Sequence, residues 1–395
     1  MSDSFTVTTS QSWFGRIGES IKGVLFGLVL FVLSFPLLWW NEGRAVRTAR
    51  SLTEGLGAVV SVPADSVQPA NEGKLVHVSG AMKTDAPVVD DELGVEAPAV
   101  TLLRTVETYQ WKESERSEKR KKLGGGEETV TTYSYALAWA EGRIDSSGFK
   151  EPEGHENPAA APYESRSFVA DPVRVGAFLM SKEQLGLLGG AVDLPLDAAA
   201  AGKLPPEARA KLRVEGGRLV SSVDPAAPKL GDVRVSFQVI QPATVSLVGV
   251  QAAGTFAPYQ AAAGDSILLV ETGSRTAAQM FKTAQDRNAT LTWILRGVFF
   301  LMMSLGLFLV FRPVAVLADV IPFLGTLLGA GIGLFAFLGA AILSFVTIAV
   351  AWVAVRPVLG ISLLVVAGVA LFLLVKAGKA RKAARAAAAG APAPA

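Results

Sequence analysis

Residues 293–375 form an almost unbroken apolar run, and that run limits what the whole chain can be. Arg312-Pro313, Asp319 and Arg356-Pro357 interrupt it. One bilayer crossing takes roughly 20 apolar residues, so the run is too long for a single span. It is also too poor in charge for a soluble core, and predicts a membrane-embedded bundle. The mean hydropathy of +0.39 agrees, because soluble chains lie near or below zero.

A first apolar stretch, IKGVLFGLVLFVLSFPLLWW at 21–40, is long enough to cross by itself, and Trp39-Trp40 suit an interfacial anchor. No small-x-small cleavage site follows, which favours an uncleaved span over a signal peptide. The spacing of charge and proline predicts three more spans, at 293–311, 330–353 and 358–375. Between the second and third lies 314–329, with Asp319, Pro322 and the first glycines of a repeat. At 1.5 Å per residue, 314–352 overshoots a hydrocarbon core of about 30 Å as one helix. The segment 314–329 is therefore expected to be interfacial or re-entrant, with Arg312-Pro313 stopping the helix before it. The tail 376–395 is basic, with Lys376, Lys379, Arg381, Lys382 and Arg385, then low in complexity. Short basic flanks favour the cytoplasm. Four spans then put 1–20 in the cytoplasm and 41–290 outside it. Arg44, Arg47 and Arg50 oppose this orientation, and the C-terminal cluster decides it.

Residues 41–290 read as a mostly antiparallel α+β domain inserted between spans one and two. Strands are expected at 71–80, 100–111, 130–139, 231–240, 243–251 and 264–271. The clearest is GDVRVSFQVI at 231–240, with Val233, Val235, Phe237 and Val239 on one face. The run KESERSEKRKKLGGGEE reads as a solvated hairpin tip turned by Gly124–Gly126. Its glutamates interleave with its cations, which weakens a basic-patch reading. Short helices are expected over 175–185 and in the Ala-rich stretch 195–213, and a longer one over 277–287 leads toward the membrane.

Composition excludes several chemistries. There is no cysteine, hence no disulfide, thiolate metal site or cysteine nucleophile. Lys+Arg 37 against Asp+Glu 35 supplies no basic face for nucleic acid. Only His77 and His155 could act as imidazole ligands or bases. His155 lies in GHENP (Gly154, His155, Asn157, Pro158), without the HExxH spacing that puts two ligands on one helix face. The favoured reading is a turn built by Asn157-Pro158, with His155 bonded to nearby backbone. His77 alternates along a strand and reads as a packed, satisfied side chain. No metal or other cofactor is expected.

The glycines say more. Gly325, Gly329 and Gly333 form two overlapping small-xxx-small steps in an apolar run, a spacing that lets helix backbones approach. An assembly face is expected there. Asp319 next to it raises a transport reading. No other charged residue inside the spans is expected to complete a relay with it.

Several collinear motifs resemble the transmembrane protein 43 (LUMA) family. They are NEGRAVRTARSLTEGLGAVVSV at 41–62, NEGKLVHVSGAM at 71–82, VETYQWKE at 106–113, YSYALAW at 133–139, GHENP at 154–158, GDVRVSF at 231–237 and Arg356-Pro357. Their order and spacing, over about 13–375, carry the resemblance. It implies four spans and a large domain between the first and second. In eukaryotic relatives it implies a lumenal domain of the endoplasmic reticulum and inner nuclear envelope, and a role in organising membrane proteins. The Ala/Gly/Pro-rich, cysteine-free composition points to a prokaryotic member, hence a cell (inner) membrane. The expectation is a non-enzymatic multi-pass scaffold whose partners are the lipid bilayer and either further copies or other membrane proteins. A transporter or channel subunit using Asp319 is the second reading, and a membrane-bound hydrolase using His155 the third.

Overall fold

The structure is a computed structural model describing residues 3–355 together with Val358, Ser362 and Val365. Apart from those three residues, the expected span 358–375 and the tail 376–395 lie outside the described residues. The chain divides into two compact units. The first comprises Met1–Ser10, Arg50–Arg120 and Glu128–Asp286, and the second Gln11–Ala49, Lys121–Glu127 and Arg287–Ala395.

The first unit is an antiparallel α+β domain. In chain order its principal strands are β1 (Asp3–Gln11), β2 (Leu75–Thr84), β3 (Thr101–Lys121), β4 (Glu127–Glu141), β5 (Val173–Val175), β6 (Phe178–Leu179), β7 (Arg213–Glu215), β8 (Arg218–Val220), β9 (Val233–Ile240), β10 (Thr244–Ala252) and β11 (Thr255–Ala257). One sheet runs β1-β4-β3-β9-β8-β7, the other β6-β5-β2-β10-β11, with short strands added at the sides of each. Five of the six expected strands are present, and the one expected at 264–271 is instead two short strands, Ser266–Ile267 and Leu269–Thr272, in different sheets. The helix expected over 175–185 is confined to Lys182–Gly186, closed by a Ser181/Gln184 capping box, because Phe178–Leu179 belong to strand β6.

Alternation decides how the sheets pack. Val233, Val235, Phe237 and Val239 are at most 2 % exposed. They join Leu102 and Val106 of β3 in one core with Val76 and Val78 of β2 and Val245 and Leu247 of β10. Both sheets thus turn a face to a shared interior. The second sheet is covered on its other face too: Val248 and Leu75 pack with Leu52, Met280 and Phe281. Burial on both faces explains why ATVSLVGVQ loses strict alternation. Gly55 is required at this contact, because a Cβ there would sit 2.9 Å from the Phe281 ring.

The second unit is built by three long helices, α1 (Trp13–Ala58), α2 (Ala277–Ala318) and α3 (Pro322–Val355), each long and apolar enough to cross a membrane. Leu38, Phe299, Met303 and Ala340 form their common core. Gly27 of α1 faces Gly306 of α2, and a Cβ on either would lie 2.8 Å from the other's carbonyl oxygen. These two glycines let α1 and α2 approach closely.

Three expectations change. Arg312-Pro313 does not end the helix, since α2 carries Pro313 inside and runs on to Ala318. A proline removes one intrahelical N–H bond, a loss that long apolar helices tolerate when neighbouring groups compensate. The stretch 314–329 is consequently not one element: it is the end of α2, a turn at 319–321, and the first turns of α3. The N-terminal residues, expected on the side opposite 41–290, supply β1 to the first sheet.

Candidate functional site

Two carboxylates inside the helix unit gather most of its polar chemistry. The first is Asp319, 2 % exposed, in the turn between α2 and α3. Arg16 reaches it through Nη2 at 2.5 Å and Lys121 through Nζ at 2.7 Å. Arg16 also donates to the Gly125 carbonyl at 2.6 Å and lies 3.5 Å from Glu127. Trp13 Nε1 donates to the Val316 carbonyl at 2.9 Å, and Gly124 N–H to the Val320 carbonyl at 3.2 Å. The β3–β4 hairpin turn is thereby fastened to the first turn of α1 and to the α2–α3 turn. Gly325 makes room for this arrangement, because a Cβ there would lie 1.7 Å from Asp319 Oδ1. Gly329 would make only an ordinary contact with Ala315, and Gly333 faces open space. Of the three repeat glycines, Gly325 makes room for Asp319.

This cluster bears on topology. The sequence assigns Arg16 to the cytoplasmic side and Gly125, with all of 41–290, to the opposite side. Residues that share a 2.6 Å hydrogen bond cannot lie on opposite faces of a bilayer about 30 Å thick. Arg16 and Gly125 stand side by side, although the sequence reading sends them to opposite sides.

The second carboxylate is Glu42, also 2 % exposed. Arg296 of α2 grips it in a fork, Nε to Oε1 and Nη2 to Oε2, both at 2.7 Å. Trp352 Nε1 of α3 donates to Oε2 at 2.6 Å. The guanidinium lies over Trp293, 4.6 Å from the ring centroid, and 5.6 Å from the Trp352 centroid. One carboxylate thus joins all three helices. Its neighbours extend the polar layer. Asn41 Nδ2 donates to the Thr292 carbonyl at 3.1 Å, Arg44 reaches Asn288 Oδ1 and Thr292 Oγ1 at 2.9 Å each, and Asn288 returns a bond to the Ala45 carbonyl. The NEGR motif is the polar adhesive between α1 and α2. Arg296 is the charge within the apolar run that the sequence reading passes over. It is committed to Glu42, and Asp319 instead finds its partners on α1 and the hairpin.

GHENP occupies a different place, in the first unit. His155 is buried, stacked on Tyr135 at 4.0 Å and edge-on to Trp111 at 4.7 Å. Its Nδ1 is 2.9 Å from the Glu151 carbonyl and its Nε2 3.5 Å from Asp3. Burial, followed by the hydrogen bond to Glu113, pushes the Tyr135 hydroxyl up to about 12. Asn157 works as a strand clamp: its Oδ1 accepts from Trp111 N–H at 2.7 Å and its Nδ2 donates to the Trp111 carbonyl at 2.9 Å. Ser146 Oγ is spent on Asn157 N–H at 2.8 Å. Among the described residues no serine hydroxyl meets a His155 ring nitrogen, so the motif assembles a turn docked on the hairpin, with no base–nucleophile pair. His77 is equally occupied, with Nδ1 3.1 Å from Ser61 Oγ and Nε2 2.8 Å from the Arg275 carbonyl. Among the described residues no three His, Asp or Glu side chains converge as a metal site would.

Comparison with known proteins matches this organisation to one family. The sequence fits the profile of transmembrane protein 43 over residues 108–357. It is 36% identical to transmembrane protein 43 of Homo sapiens over 376 residues, 92% of either chain. It is 36% identical to that of Mus musculus over 353 residues, 87% of this chain and 86% of the relative. The Drosophila melanogaster homolog is 30% identical over 349 residues, 86% of this chain and 90% of its own. No solved structure matches. With a family profile and full-length relatives in agreement, this membrane protein belongs to the transmembrane protein 43 family.

Proposed function

We propose that the chain is a non-enzymatic multi-pass membrane scaffold, organising other membrane proteins or further copies of itself. The observation that carries this reading is how its buried charges are spent. Glu42 is held by Arg296 and Trp352, and Asp319 by Arg16 and Lys121. Both clusters fix elements to one another, which suits a rigid platform better than a proton or ion relay. The domain's assignment to the extracytoplasmic side rests on the basic tail, and the prokaryotic cell membrane on composition.

A transporter or channel subunit is the second reading, favoured by a buried carboxylate at a helix turn. The two separate on function. Crosslinking in native membranes followed by partner identification should return a reproducible set of membrane proteins or self-complexes. A folded chain that captures neither, yet loses an ion flux when Asp319 becomes Asn, would replace the scaffold with the transporter.

A further inference from the structure

The first sheet opens along one side of β3. The short strand Arg166–Val169 pairs there with β3 from Thr101 to Arg104. β4, the other neighbour on that side, ends at Glu141, and Gly142 turns the chain away with a φ of +72°. Between the two, the Val106 N–H has a side chain in place of a strand and donates to Ser165 Oγ at 3.0 Å. The opening is a cavity of about 400 Å³. Small-molecule sites occupy roughly 300–1,000 Å³.

Both walls of the cavity are held from inside the domain. Gln110, 1 % exposed, donates to the Gly142 carbonyl at 2.6 Å and accepts from Ile144 N–H at 3.0 Å. Arg104, also buried, donates through Nε to the Glu164 carbonyl at 2.8 Å. Each anchor fixes the backbone at or beside a lining carboxylate, Glu141 on one wall and Glu164 on the other. Neither carboxylate has an ion-pair partner among the described residues. The one lining cation, Arg143, has Asp145 3.8 Å away. Deepest in the lining are Val106 and Thr108. Thr108 is 6 % exposed, and its hydroxyl has no hydrogen-bond partner among the described residues. A buried hydroxyl has given up its bonds to bulk water, so it gains by any polar group that enters beside it.

We propose that this cavity binds a small organic amine, with its ammonium toward Glu141 and Glu164 and a hydrogen-bonding group at its far end on Thr108. Val106, the methyls of Ala159, Ala160 and Ala161, and the Tyr163 ring supply an apolar middle. Two carboxylates against one guanidinium select a cation over a phosphate or carboxylate. A bare metal ion is the poorer fit, because among the described residues no three His, Asp or Glu side chains converge and the lining is largely aliphatic. Such a site is independent of the scaffold reading.

Tyramine probes both ends at once. Phenethylamine lacks its hydroxyl, and 4-ethylphenol lacks its ammonium. Calorimetric titration of the full-length protein in mild detergent near neutral pH should show saturable tyramine binding. It should be tighter than that of 4-ethylphenol by about tenfold, the worth of a charge-assisted hydrogen bond. It should be tighter than that of phenethylamine by about threefold, the worth of a neutral one. Glu141→Gln with Glu164→Gln should erase the first difference and leave 4-ethylphenol binding unchanged. Thr108→Val should erase the second. Ala160→Leu fills the cavity and should abolish tyramine binding with unchanged circular dichroism. If Ala160→Leu fails to fold, the two exposed glutamates still decide, because tyramine affinity unchanged in their double variant overturns the proposal. No saturable tyramine binding, equal affinity for either analogue, or undiminished binding by a folded Ala160→Leu protein overturns it too. A Thr108→Val protein that still prefers tyramine to phenethylamine does the same.

Discussion

Glu42 takes hydrogen bonds from Arg296 and Trp352, two side chains on two different helices, while almost wholly shut off from solvent. Removing one partner of such a pair leaves the other's charge buried and uncompensated, at about 3–5 kcal/mol. Glu42→Ala should therefore lower the thermal midpoint in detergent sharply. Glu42→Leu combined with Arg296→Met should recover most of the loss. A second residue-scale expectation concerns His77. Burial pushes its pKa below the ordinary 6.5, outweighing the hydrogen bond to the Arg275 carbonyl. Below about pH 6.5 the unfolded chain then binds a proton that the folded chain still refuses, so stability falls as pH drops through that window. Unfolding measured between pH 7 and 5 should show this decline, and His77→Gln should lack that part of it. The satisfied role of His77 was legible from strand alternation. Glu42 was not, because one acidic residue beside Trp39-Trp40 reads as an interfacial charge, and its partner Arg296 lies 254 residues away.

At the scale of elements, the sheets were largely readable and the helix ends were not. Alternation in GDVRVSFQVI is local information, and burial follows it residue by residue. Helix limits depend on what the helix meets. The last turns of α1 continue past the apolar stretch because Leu52 has Met280 and Phe281 to pack on. Pro313 does not halt α2, although residue type alone argued that it should. The glycines teach the same point. Spacing drew attention to Gly325, Gly329 and Gly333, but the crowded pair is Gly27 and Gly306, on separate helices. Gly306→Ala should destabilise the helix unit by about 1–3 kcal/mol, the usual cost of overpacking. Gly333→Ala, with nothing within 4 Å of its added methyl, should leave the same unfolding curve unchanged.

For the whole molecule, the sequence made the membrane class, the antiparallel domain and the family legible, but not which distant segments meet. That information resides in contacts such as Arg16 with Asp319, separated by 303 residues. Replacing Arg16, Asp319 and Lys121 together, as Arg16→Met, Asp319→Leu and Lys121→Met, removes the charges without stranding one. On the scaffold reading this variant should fold in detergent and keep its crosslinked partners. Asp319→Leu alone should unfold several degrees earlier, because it leaves the buried Arg16 guanidinium with Glu127, 3.5 Å away, in place of the 2.5 Å contact to Asp319.

The Asp319 cluster also has a consequence in time. Lys121 leaves the ribosome 198 residues before Asp319. At about 5–20 residues per second, Lys121 waits roughly 10–40 s for this anion and Arg16, 303 residues ahead of it, roughly 15–60 s. Throughout that interval the nascent hairpin turn and the start of α1 lack the buried carboxylate that contacts both cations, with Glu127 near Arg16 as a counter-charge. A chain cut short before residue 319 never leaves that state. Completion of the second long helix is thus a chemical checkpoint, and a prematurely terminated copy bears a cationic mark that a finished copy hides.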